Sequence, residues 1–161
     1  MRVLRWIAMI VFVLGLVGCD QGAKHWAESR LQRAQSVEVV PRVLDLTYTR
    51  NHHIAFSLLR GVPQKVLRPG LIVVGSAMVL MICWFWWAHA PPTPHPVSKQ
   101  VGFALVLAGA IGNLADRIAR GYVVDFIHVH HWPIFNVADI CVGIGAALLL
   151  LPAIRARAAP S

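Results

Sequence analysis

The stretch P-G-L-I-V-V-G-S-A-M-V-L-M-I-C-W-F-W-W-A (69–88) carries no charged residue. A helix needs about 20 mainly apolar residues to span a bilayer, and in lipid the backbone must satisfy its own hydrogen bonds. Three further apolar runs lie at about 6–22, 100–115 and 137–154. The sequence therefore predicts a membrane α-helical protein with four transmembrane helices. These helices are expected at about 5–27, 69–89, 99–118 and 137–156.

The composition of the chain is that of a membrane protein. Hydrophobic residues make up 57% of its 161 residues and charged residues 14%, whereas about a quarter of residues in soluble proteins are charged. The mean hydropathy is +0.61. The net charge of +8 is spread over loops and helix ends, which favours contact with anionic membrane lipids over nucleic-acid binding. No linker divides the chain, so we expect one integral membrane domain over residues 1–161.

The charged residues also predict an orientation in the membrane. Four spans place both termini on one side, and Arg2 and Arg5 favour a cytoplasmic N-terminus. All seven carboxylates fall between helices 1 and 2 or between helices 3 and 4, counting the helix ends, and these segments share the outer face. Residues 36–60 alternate weakly between apolar and polar, which predicts a small extracytoplasmic β-rich segment between helices 1 and 2.

The N-terminus allows a competing interpretation. A basic start, an apolar core and L-V-G-C (16–19) are typical of a bacterial lipoprotein signal, with Cys19 as the lipid-bearing residue. That non-enzymatic class predicts a soluble domain after Cys19, whereas three more membrane-length runs follow. The three cysteines lack paired spacing, which indicates small buried hydrophobes rather than disulfides or metal ligands.

Two aspartates lie close to the hydrocarbon, Asp125 in V-V-D-F (123–126) and Asp139 in F-N-V-A-D (135–139). A carboxylate beside lipid is costly, which indicates a function. Two neighbouring carboxyl groups share a proton and can activate a water molecule. Asn136 occupies an N-cap position three residues before Asp139, so capping of helix 4 is the structural alternative for Asp139.

Helix 3 and helix 1 each carry a polar set. Gly109, Asn113, Asp116 and Arg117 follow at i, i+4, i+7 and i+8, on one helical face. Gly109 permits close helix approach, and the alternative for the charged residues is an interfacial Asp–Arg pair that caps the helix. On helix 1, Asp20 and Lys24 lie four residues apart, and we expect them to form an ion pair that supports the site.

The histidines raise the question of a metal. His52-His53 and His128-x-His130-His131 lie on the same outer face as Asp125. No H-E-x-x-H or other compact zinc motif is present, and adjacent histidines on an extended segment point to opposite faces. We therefore expect interfacial or solvent-facing histidines, no catalytic metal and no cofactor.

Five motifs in order carry a resemblance that extends over essentially the whole chain. They are D-Q-x-x-K (20–24), N-x-x-x-A-F-S (51–57), G-x-x-x-N-L-x-D-R (109–117), V-V-D-F (123–126) and F-N-V-A-D (135–139). Together they resemble the lipoprotein signal peptidase (signal peptidase II) family of membrane aspartyl proteases. The resemblance implies that Asp125 and Asp139 are the catalytic dyad. It places substrate-binding or supporting residues around them at Asn113, Arg117, Asn136, Asp116, Asp20, Lys24, Asn51, Phe56 and Gly109.

The resemblance also implies a substrate and a location. The expected enzyme of the bacterial inner membrane cuts diacylglyceryl-modified prolipoproteins on the N-terminal side of the lipidated cysteine, near the outer face. Globomycin-type inhibitors are expected at the same site. One aspartate takes a proton from water and the other donates to the scissile carbonyl, and the sequence leaves open which does which, although the helix dipole favours an ionised Asp139.

One residue departs from the family pattern. The family usually has glycine two residues after the asparagine of its N-T-G-A-A-F motif, and here His53 takes that place. Glycine permits a conformation or a close approach that histidine resists. The alternative hypothesis is therefore a specialised, globomycin-tolerant homologue, or a non-catalytic one that binds lipidated peptide or antibiotic.

Overall fold

The computed structural model describes residues 2–32, 36–52, 62–88 and 96–158. Within those ranges the chain forms four helices and three strands. The helices are α1 (Arg2–Leu31), α2 (Gln64–Ala88), α3 (Val97–Ala119) and α4 (Val137–Ala158). The strands are β1 (Val37–Val40), β2 (Leu44–Asn51) and β3 (Val123–Val129).

The helices confirm the predicted helical class. By length and composition α1, α2 and α3 could each cross a membrane, and α4 contributes a shorter apolar stretch, Val137–Leu151, among the described residues. Large apolar side chains on their outer surfaces are exposed, such as Leu80 and Trp87 of α2. An apolar surface of this extent is suited to lipid rather than to water. The four-span layout and its orientation stay predictions.

Two helix ends differ by four or five residues from the expected positions, more than any of the others. The first helix was expected to end near residue 27 and continues to Leu31, because Ala27 and Leu31 are buried against Val124 and Phe126 of β3. The second was expected to begin at Pro69 and begins at Gln64 instead. Its first turns carry the buried Leu67, and this tertiary contact outweighs the cost of a proline within the helix.

The sheet is larger than the predicted β-rich segment. Its order is β1-β2-β3 with antiparallel pairing throughout, so the central strand β2 takes its second partner from the segment between α3 and α4. The prediction that the strands lie between helices 1 and 2 is therefore incomplete. An unpaired edge on β2 would leave backbone groups without partners, and β3 satisfies them. Residues 53–60, the rest of the expected β-rich segment, lie outside the described residues, and they include His53 and Phe56.

Helices α3 and α4 approach each other at small residues. A Cβ on Gly109 would lie 2.3 Å from the carbonyl oxygen of Ala138, and one on Gly145 would lie 2.7 Å from that of Gly102. Small residues at such crossings let helix backbones come into contact, as is common in membrane bundles. Gly109 thus confirms the expected close approach, and it sets α3 directly against the first turn of α4.

The burial of the three cysteines agrees only partly with the prediction. Cys141 is buried, but Cys19 and Cys83 are exposed on the outer surfaces of α1 and α2, so their prediction as buried hydrophobes is wrong. All three are free thiols. The burial of each thiol depends on its helix face: Cys141 points into the bundle, whereas Cys19 and Cys83 point outward.

Candidate active site

Asp125 is a buried carboxylate held by two side-chain amides. It lies on β3 and its side chain is 3% exposed. Asn51 Nδ2, at the end of β2, donates to its Oδ2 at 2.8 Å, and Asn136 Nδ2 donates to its Oδ1 at 2.6 Å. Each carboxylate oxygen therefore has a donor from a different element, which fixes the plane of the group.

Asp139 is held at the start of α4. Its Oδ2 accepts the backbone N–H of Asn136 at 3.2 Å, and its own N–H donates to Asn136 Oδ1 at 3.1 Å. This reciprocal pair is the predicted cap, in the geometry of a capping box. The second oxygen, Oδ1, accepts Asn113 Nδ2 from α3 at 2.8 Å. Capping therefore accounts for only part of the environment of Asp139.

A chain of two asparagines joins the two carboxyl groups. Asn136 Nδ2 contacts Asp125 Oδ1 and also donates to Asn113 Oδ1 at 3.2 Å, while Asn113 Nδ2 reaches Asp139. Asn113 Oδ1 also accepts Lys24 Nζ at 3.1 Å. Because two donors meet that oxygen, the amide of Asn113 is oriented with its NH₂ group toward Asp139.

Lys24 lies at the centre of a buried charge cluster behind the asparagines. It is fully buried, and its Nζ lies 2.8 Å from Asp20 Oδ2 and 3.0 Å from Asp116 Oδ2. Both aspartates are also buried and each accepts a backbone N–H, Asp20 from Ala138 at 2.9 Å and Asp116 from Val124 at 3.1 Å. The cluster thus links α1 to α3, to the first turn of α4 and to β3. The expected Asp20–Lys24 pair is confirmed.

Two members of this cluster had no predicted role. Arg120, just after α3, forms an ion pair with Asp116, and Gln21 Nε2 donates to Asp116 Oδ1 at 3.1 Å and to the Gly112 carbonyl at 3.1 Å. Arg120 Nη1 in turn donates to Gln21 Oε1 at 3.0 Å. Two features of the sequence could have indicated these roles: the i, i+4 spacing of Asp116 and Arg120, and the glutamine inside D-Q-x-x-K.

Arg117 does not form the ion pair with Asp116 that was considered for it. The alternative of an ion pair between Asp116 and a neighbouring arginine is met by Arg120, not by Arg117. The Arg117 guanidinium donates to the carbonyl oxygen of Asn113 at 3.1 Å and lies within electrostatic range of Asp125 and Asp139. It therefore supplies positive charge next to the two carboxyl groups without forming a direct ion pair with either among the described contacts.

The protonation of Asp125 is shifted toward the neutral acid. Burial, with a smaller contribution from the nearby charge of Asp139, raises the pKa of Asp125 to about 6, against the opposing hydrogen bonds from Asn51 and Asn136. Burial disfavours the charged form of a carboxyl group. A carboxyl group with this pKa exchanges its proton close to neutral pH, which suits an acid or base in catalysis.

Apolar helices, together with a buried and an exposed carboxyl group that are joined by amide side chains, are the features of a membrane aspartic peptidase. The family model described as signal peptidase (SPase) II matches residues 11–155. The chain belongs to this family, whose members are aspartic endopeptidases of bacterial membranes.

Curated relatives and solved structures agree with this assignment. The chain is 39% identical over 150 residues to the lipoprotein signal peptidases of Brucella ovis and Brucella melitensis, covering 91% of this chain and 88% of each relative. A bacterial membrane enzyme structure determined by the in meso method at 2.3 Å resolution superposes with a TM-score of 0.81 at 28% identity, covering 94% of this chain and 90% of that one. A second, at 1.9 Å resolution, gives a TM-score of 0.77 at 29% identity, with coverage of 91% and 92%.

Proposed function

We propose that this enzyme removes the signal peptide from diacylglyceryl-modified prolipoproteins, with Asp125 and Asp139 as its catalytic dyad. The observation that carries the proposal is the Asn136–Asn113 chain, which contacts one carboxyl group at each end. A purely structural role does not require two acids to be linked in this way. The name of the relatives, lipoprotein signal peptidase, supports the substrate class.

The two aspartates have different environments, and this difference supports distinct roles. Asp125 is buried with a raised pKa, so we assign it the proton at the start of the reaction. Asp139 accepts a backbone N–H at the positive end of α4, an environment that favours the ionised form. Two carboxyl groups in different environments can take the separate roles of acid and base.

The reaction then follows from these protonation states. Asp139 takes a proton from water, and the hydroxide attacks the carbonyl carbon of the peptide bond before the lipidated cysteine. Asp125 donates a hydrogen bond to the carbonyl oxygen, which stabilises the tetrahedral intermediate. Asp125 then gives its proton to the cysteine nitrogen, the C–N bond breaks and the signal peptide is released, while the proton that Asp139 took from water remains on the dyad. Arg117 offsets the negative charge that the site carries throughout.

The proposed setting is the bacterial inner membrane with four spans and both termini in the cytoplasm. The sheet and the dyad then lie near the outer face, at the level where a lipid-anchored cysteine presents its peptide bond. In this setting the lipid chains of the substrate stay in the bilayer and the signal peptide enters beside the helices. Globomycin-type inhibitors would occupy the same site, and no cofactor takes part.

The substrate is tested with a matched pair of prolipoproteins. We expect the purified full-length enzyme in detergent or lipid discs to cleave a prolipoprotein whose lipobox cysteine carries diacylglycerol. Mass spectrometry should show a product that begins at that cysteine. The unmodified precursor serves as the control and should remain uncleaved. Equal cleavage of both forms would contradict the assigned substrate, and no cleavage of either would favour the non-catalytic alternative.

The pH profile tests which aspartate holds the proton. Since Asp125 must be protonated, we expect kcat/KM to fall as the pH rises through an apparent pKa of the dyad, near or above 6. The hydrogen bond from Asn51 lowers the pKa of Asp125, so Asn51→Ala should move this descending limb to higher pH. Thr47→Ala, on the same strand, is the control and should leave the limb in place. A shift of the ascending limb instead would make Asp125 the base.

A further inference from the structure

A second group of chemically reactive side chains lies on the sheet, away from the dyad. Asp45 of β2 and His128 of β3 are cross-strand partners, so their side chains project from the same face of the sheet. His130 follows two residues after His128. Its N–H donates to the carbonyl of Val43 at 3.0 Å, so the two chain segments remain paired just beyond the ends of β2 and β3. The two imidazoles and the carboxylate therefore converge although 83 residues separate Asp45 from His128.

The donor atoms have the spacing of a metal site. Asp45 Oδ2 lies 3.0 Å from His130 Nε2 and 3.6 Å from His128 Nδ1, and the three ligand atoms lie within 4.8 Å of one another. Zinc bonds of about 2.1 Å in a tetrahedron place neighbouring ligand atoms about 3.4 Å apart. Small side-chain rotations would therefore bring the three atoms around one cation.

A hydrogen-bonded pair explains only part of this arrangement. The His130–Asp45 contact is a normal hydrogen bond, but 3.6 Å between His128 Nδ1 and Asp45 Oδ2 is too long for one. A second imidazole is thus held next to the carboxylate without a hydrogen bond to it. All three side chains are partly exposed, so a cation could reach them directly.

The ligand types select the cation. Two imidazole nitrogens and one carboxylate suit zinc, whereas calcium and magnesium prefer a shell of oxygen atoms. Three protein ligands leave a fourth position for water. We propose that Asp45, His128 and His130 bind one Zn²⁺ ion on the outer face of the sheet.

The position of this site indicates a structural role for the ion. Asn51, which contacts the catalytic aspartate, lies six residues beyond Asp45 on β2, or about 20 Å along an extended strand. The ion is therefore too distant to take part in peptide cleavage. By joining β2 to β3 it would hold together the two strands that deliver Asn51 and Asp125 to the active site.

The proposal is tested by counting bound zinc on the full-length protein. The protein is purified with a tag that contains no histidine, stripped with a chelator and titrated with Zn²⁺ against a chromophoric competitor. We expect one tightly bound zinc per chain and a rise in the thermal midpoint on adding zinc. The double variant His128→Ala/His130→Ala should lose both effects. Calcium and magnesium should produce neither.

Matched variants separate this site from other ligands. His25→Ala/His131→Ala removes two exposed histidines, and Cys19→Ser/Cys83→Ser removes the two exposed thiols, and both should still bind one zinc. Asp125→Asn should also bind it, so a failure of the proposed peptidase role would not affect this result. Equal zinc binding by wild type and the His128→Ala/His130→Ala variant would overturn the proposal, as would a wild type that binds none.

A spectroscopic measurement covers the case in which the double variant does not fold. X-ray absorption of the zinc-loaded wild type should show nitrogen and oxygen neighbours at about 2.0–2.1 Å, with the multiple scattering of imidazole rings. Asp45→Asn, which keeps the size of the side chain, should weaken binding. Sulfur neighbours at about 2.3 Å would assign the zinc to cysteines and overturn the site.

Discussion

Asp125→Asn and Asp139→Asn are each expected to reduce cleavage of a diacylglyceryl-modified prolipoprotein by at least about 100-fold. General acid–base catalysis by a positioned side chain contributes about 10² to 10⁴ in rate. An asparagine at position 139 cannot take a proton from water, and one at position 125 cannot deliver a proton to the leaving nitrogen. The measurement is the initial rate at saturating substrate, followed by mass spectrometry of the product.

Loss of folding has to be separated from loss of chemistry in these variants. Asp125 accepts two amide donors, from Asn51 and Asn136, whereas an asparagine there offers one oxygen and brings an NH₂ group against a donor. We therefore expect a destabilisation of about 1–3 kcal/mol beside the loss of activity. The thermal midpoint of each variant, measured in the same detergent, shows whether the protein is still folded.

A carboxylate outside the site provides the matched control. Glu38→Gln removes one exposed carboxylate from β1 of the same sheet and should leave the cleavage rate unchanged. Wild-type rates in folded Asp125→Asn and Asp139→Asn would show that the dyad is assigned wrongly. A large loss of cleavage rate in Glu38→Gln would show that the assay responds to changes on the outer surface rather than to the dyad.

Lys24→Met is expected to be the most destabilising single substitution in the polar cluster. The lysine is fully buried between Asp20 and Asp116, and its removal leaves these two carboxylates facing each other without it. Breaking a buried ion pair by removing one partner costs about 3–5 kcal/mol. The loss of stability should be seen as a lower thermal midpoint. Activity should also fall, because Asn113 loses one of the two donors that orient its amide.

A triple variant that removes Lys24 together with its two carboxylate partners tests whether unpaired charge causes the loss of stability. In the triple variant Asp20→Asn/Lys24→Met/Asp116→Asn no carboxylate is left unpaired, and each asparagine keeps an oxygen for the backbone N–H that the aspartate accepts. We expect it to recover part of the stability lost in Lys24→Met. Lys99→Met, at an exposed position on α3, should have little effect. A Lys24→Met protein as stable as Lys99→Met would contradict the proposed importance of the cluster.

Much of this arrangement could be predicted from local patterns. The apolar runs indicated the helices, because the lipid requirement for internal backbone hydrogen bonds leaves few alternatives. The cap at Asn136 and the pair at Asp20 and Lys24 were predictable because both depend on residues three or four positions apart. In these cases the deciding contacts lie within one turn of helix.

What could not be predicted depends on contacts between distant segments. The strand β3 is defined by its pairing with β2, more than 70 residues away, and V-V-D-F-I-H-V (123–129) has too few residues to reveal that partner. The contact of Asp116 with Lys24 depends on the docking of α1 against α3, which neither segment reveals alone. The meeting of Asp45 with His128 and His130 has the same origin, since no single motif contains them.

The pairing of charges in the buried cluster has a consequence for how the protein is built during synthesis. Asp20 and Lys24 lie four residues apart, and so do Asp116 and Arg120, so each pair can form within its own segment without contact between the helices. Each segment can then enter a bilayer with no net charge from these residues, which lowers the cost of insertion. The contact of Lys24 with Asp116 forms only on docking and adds attraction between segments that were already neutral. The first helix can therefore insert into lipid before α3, which carries the second partner of Lys24, has been synthesised.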